Sequence, residues 1–509
     1  MLNDLLAGFY NCFQPGNFLA LFGGTVAGII AGAIPGLDCS VATALLITLT
    51  YKMTPSEAFV FLAGIYCGGV YGGQIPAILF RVPGASEAVM TTLDGYPMAQ
   101  KGEAGKALGV GLLCSLLGGL FSVVILILLA PPLADLALEF GPAEYFALAI
   151  LGLSCISSLG AKSQIKAIVS GLLGLLLATV GLDQITGMQR FTFGTDMLQG
   201  GINFIPAVIG LFAASEVYNQ ISRKHYETGI VDPEKTTKKV KVELPRFSEL
   251  WPIKWSMLRS AIVGTWIGIL PGVGATTAAI VGYAQAVRFS KHPERFGTGI
   301  IEGVAAPETA NNAATGGAMV PLLALGIPGS ATTAIMVGAF YLHGLQPGPM
   351  FLQQNRPLAY TIFAGMALAN VIFFVLGFFA IKAFAKLLRI RYPYLAANIL
   401  AFCAVGATAM GDLYGVRMMF LFAILGFFME KYGFPVAPMV LGLVLGPIAE
   451  PGLRRALLIA DYDVWLVLTR PLTAFFLILS VVSLLTPVIR GFFAKKKNGQ
   501  AMNFSARGE

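Results

Sequence analysis

Apolar runs separated by short polar connections fill most of the chain. Stretches at roughly 107–130, 144–160, 165–181 and 203–218, then 357–384, 394–410, 413–430, 434–449 and 464–490, have the length of membrane-crossing helices, about 20 residues apiece. Three further stretches break this pattern. Residues 18–51 are apolar and rich in small residues, with Gly24, Gly28 and Gly32 at four-residue spacing and then Pro35-Gly36. A helix from about Glu57 to Tyr71 leads into residues 72–109, which carry Gln74, Arg81, Glu87 and Asp94 and break at Pro76 and Pro83-Gly84. Residues 299–351 carry Glu302, Glu308, Asn311 and Asn312 and are interrupted by Pro307, Pro321 and Pro328-Gly329.

The glycine row suits close helix packing. The Pro-Gly pairs do something else. Proline removes a backbone donor and glycine permits a sharp turn, so helices should break there. Lipid accepts broken backbone and ionisable groups only where protein or a watery cavity surrounds them. Re-entrant hairpins or discontinuous helices lining a site are therefore expected.

These breaks recur. Gly28, Gly32 and Pro35-Gly36 superpose on Gly264, Gly268 and Pro271-Gly272 at one constant offset. Tyr71-Gly72-Gly73 through Arg81-Val82-Pro83-Gly84-Ala85 is echoed, with one residue inserted, by Thr315-Gly316-Gly317 through Leu325-Gly326-Ile327-Pro328-Gly329-Ser330. The expected fold is an all-α polytopic membrane protein of about a dozen spans in two related halves. Residues 1–218 form an amino-terminal membrane repeat and 219–259 a basic cytoplasmic linker. Residues 260–490 form a carboxy-terminal repeat plus scaffold helices, and 491–509 a cytoplasmic tail. Arg259 before the Pro271-Gly272 segment, with Arg288, Lys291 and Arg295 after it, suits a hairpin entering and leaving at one face. Charge alone leaves open whether the halves are parallel or inverted. Inversion is favoured, because the first copy starts from a region without basic residues.

Composition fits the membrane setting: 56% of residues are hydrophobic and only 12% charged, with a mean hydropathy of +0.76. The net charge of +8 sits in a few connections, as the positive-inside rule expects, and is not a nucleic-acid footprint. Lys495-Lys496-Lys497 place the carboxyl terminus inside, whereas 131–144, with Asp135, Glu139 and Glu144 and no Lys or Arg, reads as external. Asp4 and the lack of a basic n-region argue against a cleaved signal peptide. Six scattered cysteines without a C-x-x-C pair read as buried apolar residues. Three distant histidines without an H-E-x-x-H motif argue against catalytic zinc, and no P-loop is present. No enzyme activity and no cofactor are expected.

A transport site explains the remaining polar residues. Broken helices present free N–H groups and positive dipole ends, which favour an anion. The candidate substrate contacts are the breaks and the polar residues beside them: Pro35, Gly36, Ser40, Gly73, Gln74, Arg81, Gly84 and Ser86 in the first half, with Gly272, Gly274, Thr276, Thr277, Asn312, Gly329, Ser330 and Thr332 in the second. Arg81 reads either as a bidentate carboxylate clamp or as a headgroup-level residue. Each hydroxyl reads either as a ligand donor or as bonded to its own backbone. Asp38, Glu302, Glu308, Asn311 and Asn312 are candidates for a coupling Na⁺ or H⁺, with structural pairing as the plainer alternative.

The run from Phe296 to Asn312, then Gly326-Ile-Pro-Gly-Ser330 and His343-Gly-Leu-Gln-Pro-Gly-Pro349, resembles the large membrane subunit of the tripartite tricarboxylate transporter family. Ala33-Ile-Pro-Gly-Leu37, Tyr71-Gly-Gly73, Val82-Pro-Gly84 and Thr92-Leu-Asp-Gly-Tyr96 are similar to that family's amino-terminal half. The resemblance implies a multi-pass permease of the bacterial inner membrane, driven by an ion gradient. It also implies a small four-span membrane subunit and a periplasmic solute-binding protein that delivers an organic di- or tricarboxylate. At Gln74, Arg81 and Asp38 the chain departs from the family pattern, which leaves the particular carboxylate open. The reading from a different class is a membrane-embedded receptor or assembly scaffold for a solute-binding protein.

Overall fold

A computed structural model describes residues 1–159, 163–222, 241–387 and 392–485. Residues 223–240 of the expected linker 219–259 and all of the tail 491–509 lie outside these. The chain is helical almost throughout. Seven helices are long and apolar enough to cross a membrane, and shorter apolar helices accompany them. Among the described residues the only sheet is one antiparallel pair, Gly181–Leu182 with Gln189–Arg190.

Pro35-Gly36 and Pro271-Gly272 each break a helix, whereas Pro307 and Pro321, expected to interrupt 299–351, lie inside the continuous helix Ile301–Leu325, and Pro451-Gly452 lies inside Val436–Ile459. Pro15–Ala33 ends where Ile34 turns extended, Gly36 takes φ +89°, and Cys39–Leu46 begins. Lys254–Ile269 ends where Leu270 turns extended, Gly272 takes φ +72°, and Gly274–Phe289 begins. The arms of the second hairpin return to one face: Arg259 donates to Gln285 at 3.1 Å and its guanidinium lies 4.8 Å from the Phe289 ring.

Close glycine contacts fix the helix directions. Gly24, Gly28 and Gly32 meet Phe61, Ile65 and Gly69 in that order, so Pro15–Ala33 runs parallel to Pro55–Gly72. Gly264 and Gly268 meet Ala310 and Ala314, so Lys254–Ile269 runs parallel to Ile301–Leu325. Val60 and Tyr71 meet Gly365 and Gly377 of Arg356–Leu387 in the same sense. Leu112 and Gly119 of Ala104–Ala137 meet Gly377 and Asn370 in the opposite sense, while Gly118 and Ser122 meet Thr309 and Gly316 in the same sense. Pro55–Gly72 is therefore antiparallel to Ile301–Leu325. The two broken units are inverted, and their hairpins enter from opposite faces.

Small residues make this packing possible. A Cβ on Gly24, Gly28 or Gly32 would overlap a carbonyl or backbone atom of Pro55–Gly72. The break loops lean on the same glycines in both halves: a Cβ on Gly84 would overlap the Gly32 carbonyl, and one on Gly329 the Gly268 carbonyl. Pro55–Gly72 is encased, with Tyr71 stacked on Phe373 at 4.9 Å and Phe59 against Phe340 at 4.3 Å. Around this core lie Pro142–Leu159, Gln164–Ala178, the bent segment Phe204–Ser222 with its π-helical turn Ile209–Ala214, Tyr392–Lys431, Val436–Ile459 and Pro471–Leu485. Tyr392–Lys431 doubles back on itself, since Gly415 packs against the Ala407 carbonyl.

Candidate functional site

The first return helix is closed by its own carboxylate. Asp38 Oδ1 accepts the backbone N–H groups of Ser40 and Val41, each at 3.0 Å, and the Ser40 hydroxyl. The position equivalent to Asp38 is Gly274, at φ +71°, and Val273 gives the second return helix no side-chain cap. Helix N-termini carry orphan N–H donors and a partial positive charge. One copy satisfies them with its own side chain and the other leaves them without a side-chain cap.

Loop 81–91 of the first half lies across this junction. Ser86 and Thr276 share a hydrogen bond of 2.8 Å between their hydroxyls. Ser86 Oγ also donates to Glu87 at 3.3 Å, and the Glu87 backbone carbonyl accepts from Asn311 at 3.1 Å. Ser330 caps the helix Ala331–Leu342 through a capping box with Thr333, and its hydroxyl meets the buried Tyr66 hydroxyl at 3.1 Å. A Cβ on Gly274 would lie 3.7 Å from that of Ser330. Ser40, Glu87, Ser330 and Thr332 are buried, while Ser86 is exposed and Asp38, Gly36, Gly272, Gly274, Thr276 and Thr277 are half-buried. These polar groups share one junction that reaches the surface at Ser86.

Beneath it, Glu308 has no exposed surface. Its carboxylate accepts from the Thr91 hydroxyl, from Ser115 at 3.2 Å and from Asn311 at 3.4 Å. Asn312 donates to the Glu308 carbonyl at 3.1 Å and to Asn311 Oδ1 at 2.8 Å, and its own Oδ1 is buried without a partner. Among the described residues no Lys, Arg or His pairs with Glu308. A buried carboxylate at membrane depth needs a proton or a cation. A carboxylate, two hydroxyls and a free amide oxygen are hard oxygen ligands that suit Na⁺.

The other candidates are scattered. Gln74 is fully buried against Gly111 of Ala104–Ala137, with both amide atoms unpartnered. Gly73 closes the break loop by accepting the Gly84 N–H at 3.1 Å. Glu302 lies in the first turn of its helix, two turns before Glu308, and accepts from Ser290 at 3.3 Å. Arg81 is exposed, 5.9 Å from the Tyr96 ring, with a left-handed φ of +59°. Its equivalent in the second half is Gly326, at φ +74°.

Sequence reasoning did not single out Tyr66, Thr91 or Ser115, which sit in helices with no distinguishing pattern. It noted Asp94 among the polar residues of 72–109 but gave it no role, and Asp94 is the joint between the halves. Asp94 is fully buried and accepts from Gly297 (3.0 Å), Gly299 (2.8 Å) and Ile300 (3.1 Å) backbone N–H groups and from the Tyr283 hydroxyl (2.8 Å). Its signal was an acidic residue within the Thr92–Tyr96 motif, facing a glycine-rich loop ahead of the second broken helix.

A polytopic membrane protein with inverted halves, each carrying a broken helix at one polar junction, has the architecture of secondary transporters. The chain belongs to the Tripartite tricarboxylate transporter TctA family, whose model matches residues 18–441. It is 38% identical over 494 residues to a 52.8 kDa protein from the TAR-I ttuC' 3' region of Agrobacterium vitis, covering 96% of this chain and 97% of that protein. A second protein, from the TAR-II ttuC' 3' region of the same organism, is 36% identical over 234 residues, covering 46% of this chain and 97% of its own length. No solved structure matches the chain.

Proposed function

We propose that this chain is the translocating subunit of a secondary transporter that takes up an organic di- or tricarboxylate with Na⁺ or H⁺. Substrate carboxylate is held at the uncapped N-terminus Gly274–Thr277, with Ser86, Ser330 and the rim residue Arg81 around it. Glu308, Asn311 and Asn312 hold the coupling ion one layer below. The observation that carries this reading is Glu308, a carboxylate without solvent or a cationic partner, set in hydroxyl and amide groups from both halves.

The two hairpins and loop 81–91 travel together, elevator-fashion, against the surrounding helices. Their mutual bond, Ser86–Thr276, is internal to the moving unit. The basic face that carries Lys101, Lys254, Arg259 and Arg288 is cytoplasmic in a bacterial inner membrane. The opposite face receives substrate from a periplasmic binding protein, and a small membrane subunit completes the assembly. Uptake of labelled citrate into proteoliposomes tests this. Glu308→Gln should abolish gradient-driven accumulation while leaving citrate exchange in place. Undiminished accumulation by that variant overturns the coupling role, and no gradient-dependent uptake by the wild type favours the receptor reading.

A further inference from the structure

The helices Gln164–Ala178 and Val436–Ile459 run parallel, Gly174 meeting Met439 and Gly446 meeting Ala178, and both end on the face away from the basic residues. Between their ends, remote from the Pro-Gly breaks, lies a cavity of about 220 Å³ under the loop 179–201, reached also by Gln199 and Tyr341. Its charged wall is a ladder. Arg190 holds both oxygens of Glu450, at 2.5 and 3.2 Å, and Arg454 holds Asp183 at 2.6 Å and Glu450 at 3.4 Å. Arg454 beside it keeps the Asp183 carboxyl well below the usual carboxylate range, so this carboxylate stays ionised at neutral pH.

Two features separate this arrangement from a purely structural ion network. A structural ladder fills its volume and satisfies its donors. Here a cavity remains, and the Arg190 Nε–H is buried without a partner.

We propose that this cavity is a second organic-anion site, a waiting position on the outer face where a substrate carboxylate takes the Arg190 Nε–H and the outer edge of the Arg454 guanidinium. The proposal rests on the carboxylate-uptake reading above. Guanidiniums already half-neutralised by Glu450 and Asp183 bind an anion weakly, which suits a station that must pass its ligand on.

All six native cysteines are buried, so a cysteine placed at the half-buried Gln199 gives a clean label with a membrane-impermeant maleimide in the full-length protein. Citrate, compared with chloride at matched ionic strength, should slow labelling of Gln199→Cys. Arg190→Gln should raise the half-protecting citrate concentration about tenfold, the worth of one charge-assisted hydrogen bond. Glu450→Gln should instead lower it, because the freed guanidinium gains an anion; a purely structural ladder would give no such gain. Protection should persist in Gly274→Asp, which disables the central site. No citrate protection in the wild-type background, no tightening in Glu450→Gln, or loss of protection in Gly274→Asp would each overturn the waiting site. Absence of uptake by the wild type with protection intact would count against the central reading alone.

Discussion

The two Pro-Gly hairpins share a break, a glycine row and a supporting helix, yet differ at one position. Asp38 plugs the N-terminus of the first return helix, and Gly274 leaves that of the second unplugged. Backbone geometry common to both halves thus does two jobs. In the first half the exposed helix end is satisfied by the chain itself and serves as structure. In the second the same end faces Ser86 and Ser330 and carries no side-chain cap. The acidic groups divide in the same way, since Glu308 of the second half has Ala63 at the equivalently packed place in the first. Repeats supply the frame, and single side chains decide which copy is capped.

Several substitutions sharpen this contrast. The largest effect is expected at the joint between the halves. Asp94→Ala strands three backbone N–H groups of the loop 297–300 and should destabilise the protein by about 3–5 kcal/mol, read as an earlier unfolding midpoint in detergent. Next, Gly84→Ala and Gly329→Ala each push a Cβ into the opposing glycine's carbonyl. Each should lose about 1–3 kcal/mol, equal within error if the repeats are mechanically equivalent. A loss confined to one of them would show that the halves bear load differently. The smallest effect is a gain. Arg81 holds a left-handed backbone that Gly326 holds without strain, so Arg81→Gly should stabilise by about 1 kcal/mol while raising the KM for citrate.

Much of the fold was legible because proline and glycine act locally. Pro35-Gly36, Pro271-Gly272 and Pro328-Gly329 each interrupt a helix and their recurrence marks the repeat, whereas Pro307, Pro321 and Pro451 are accommodated inside continuous helices. The doubled-back segment Tyr392–Lys431 was likewise read as two spans, 394–410 and 413–430. The direction of the first hairpin was harder, since its flanks carry almost no charge and only the chain of glycine contacts fixes it. The environment of Glu308 was not legible. Thr91 and Ser115 come from helices far off in sequence, and nothing local separates a hydroxyl bonded across the bundle from one bonded to its own backbone, as Thr309 is to Ala305. The strand pair at 181–190 was missed as well, because two residues per strand leave no alternating pattern to read.

Citrate binding to the purified protein in nanodiscs, measured in an Arg190→Gln background so that the outer cavity contributes little, without further change and with Asp38→Ala, Gly274→Asn or Gly274→Asp, tests the central claim most directly. Asn and Asp both tolerate the left-handed backbone at position 274, so the pair isolates charge from strain. Gly274→Asp should weaken binding by about a hundredfold or more, while Gly274→Asn and Asp38→Ala keep it within a few-fold of the Arg190→Gln background. Binding that survives Gly274→Asp and disappears in Asp38→Ala would contradict the account.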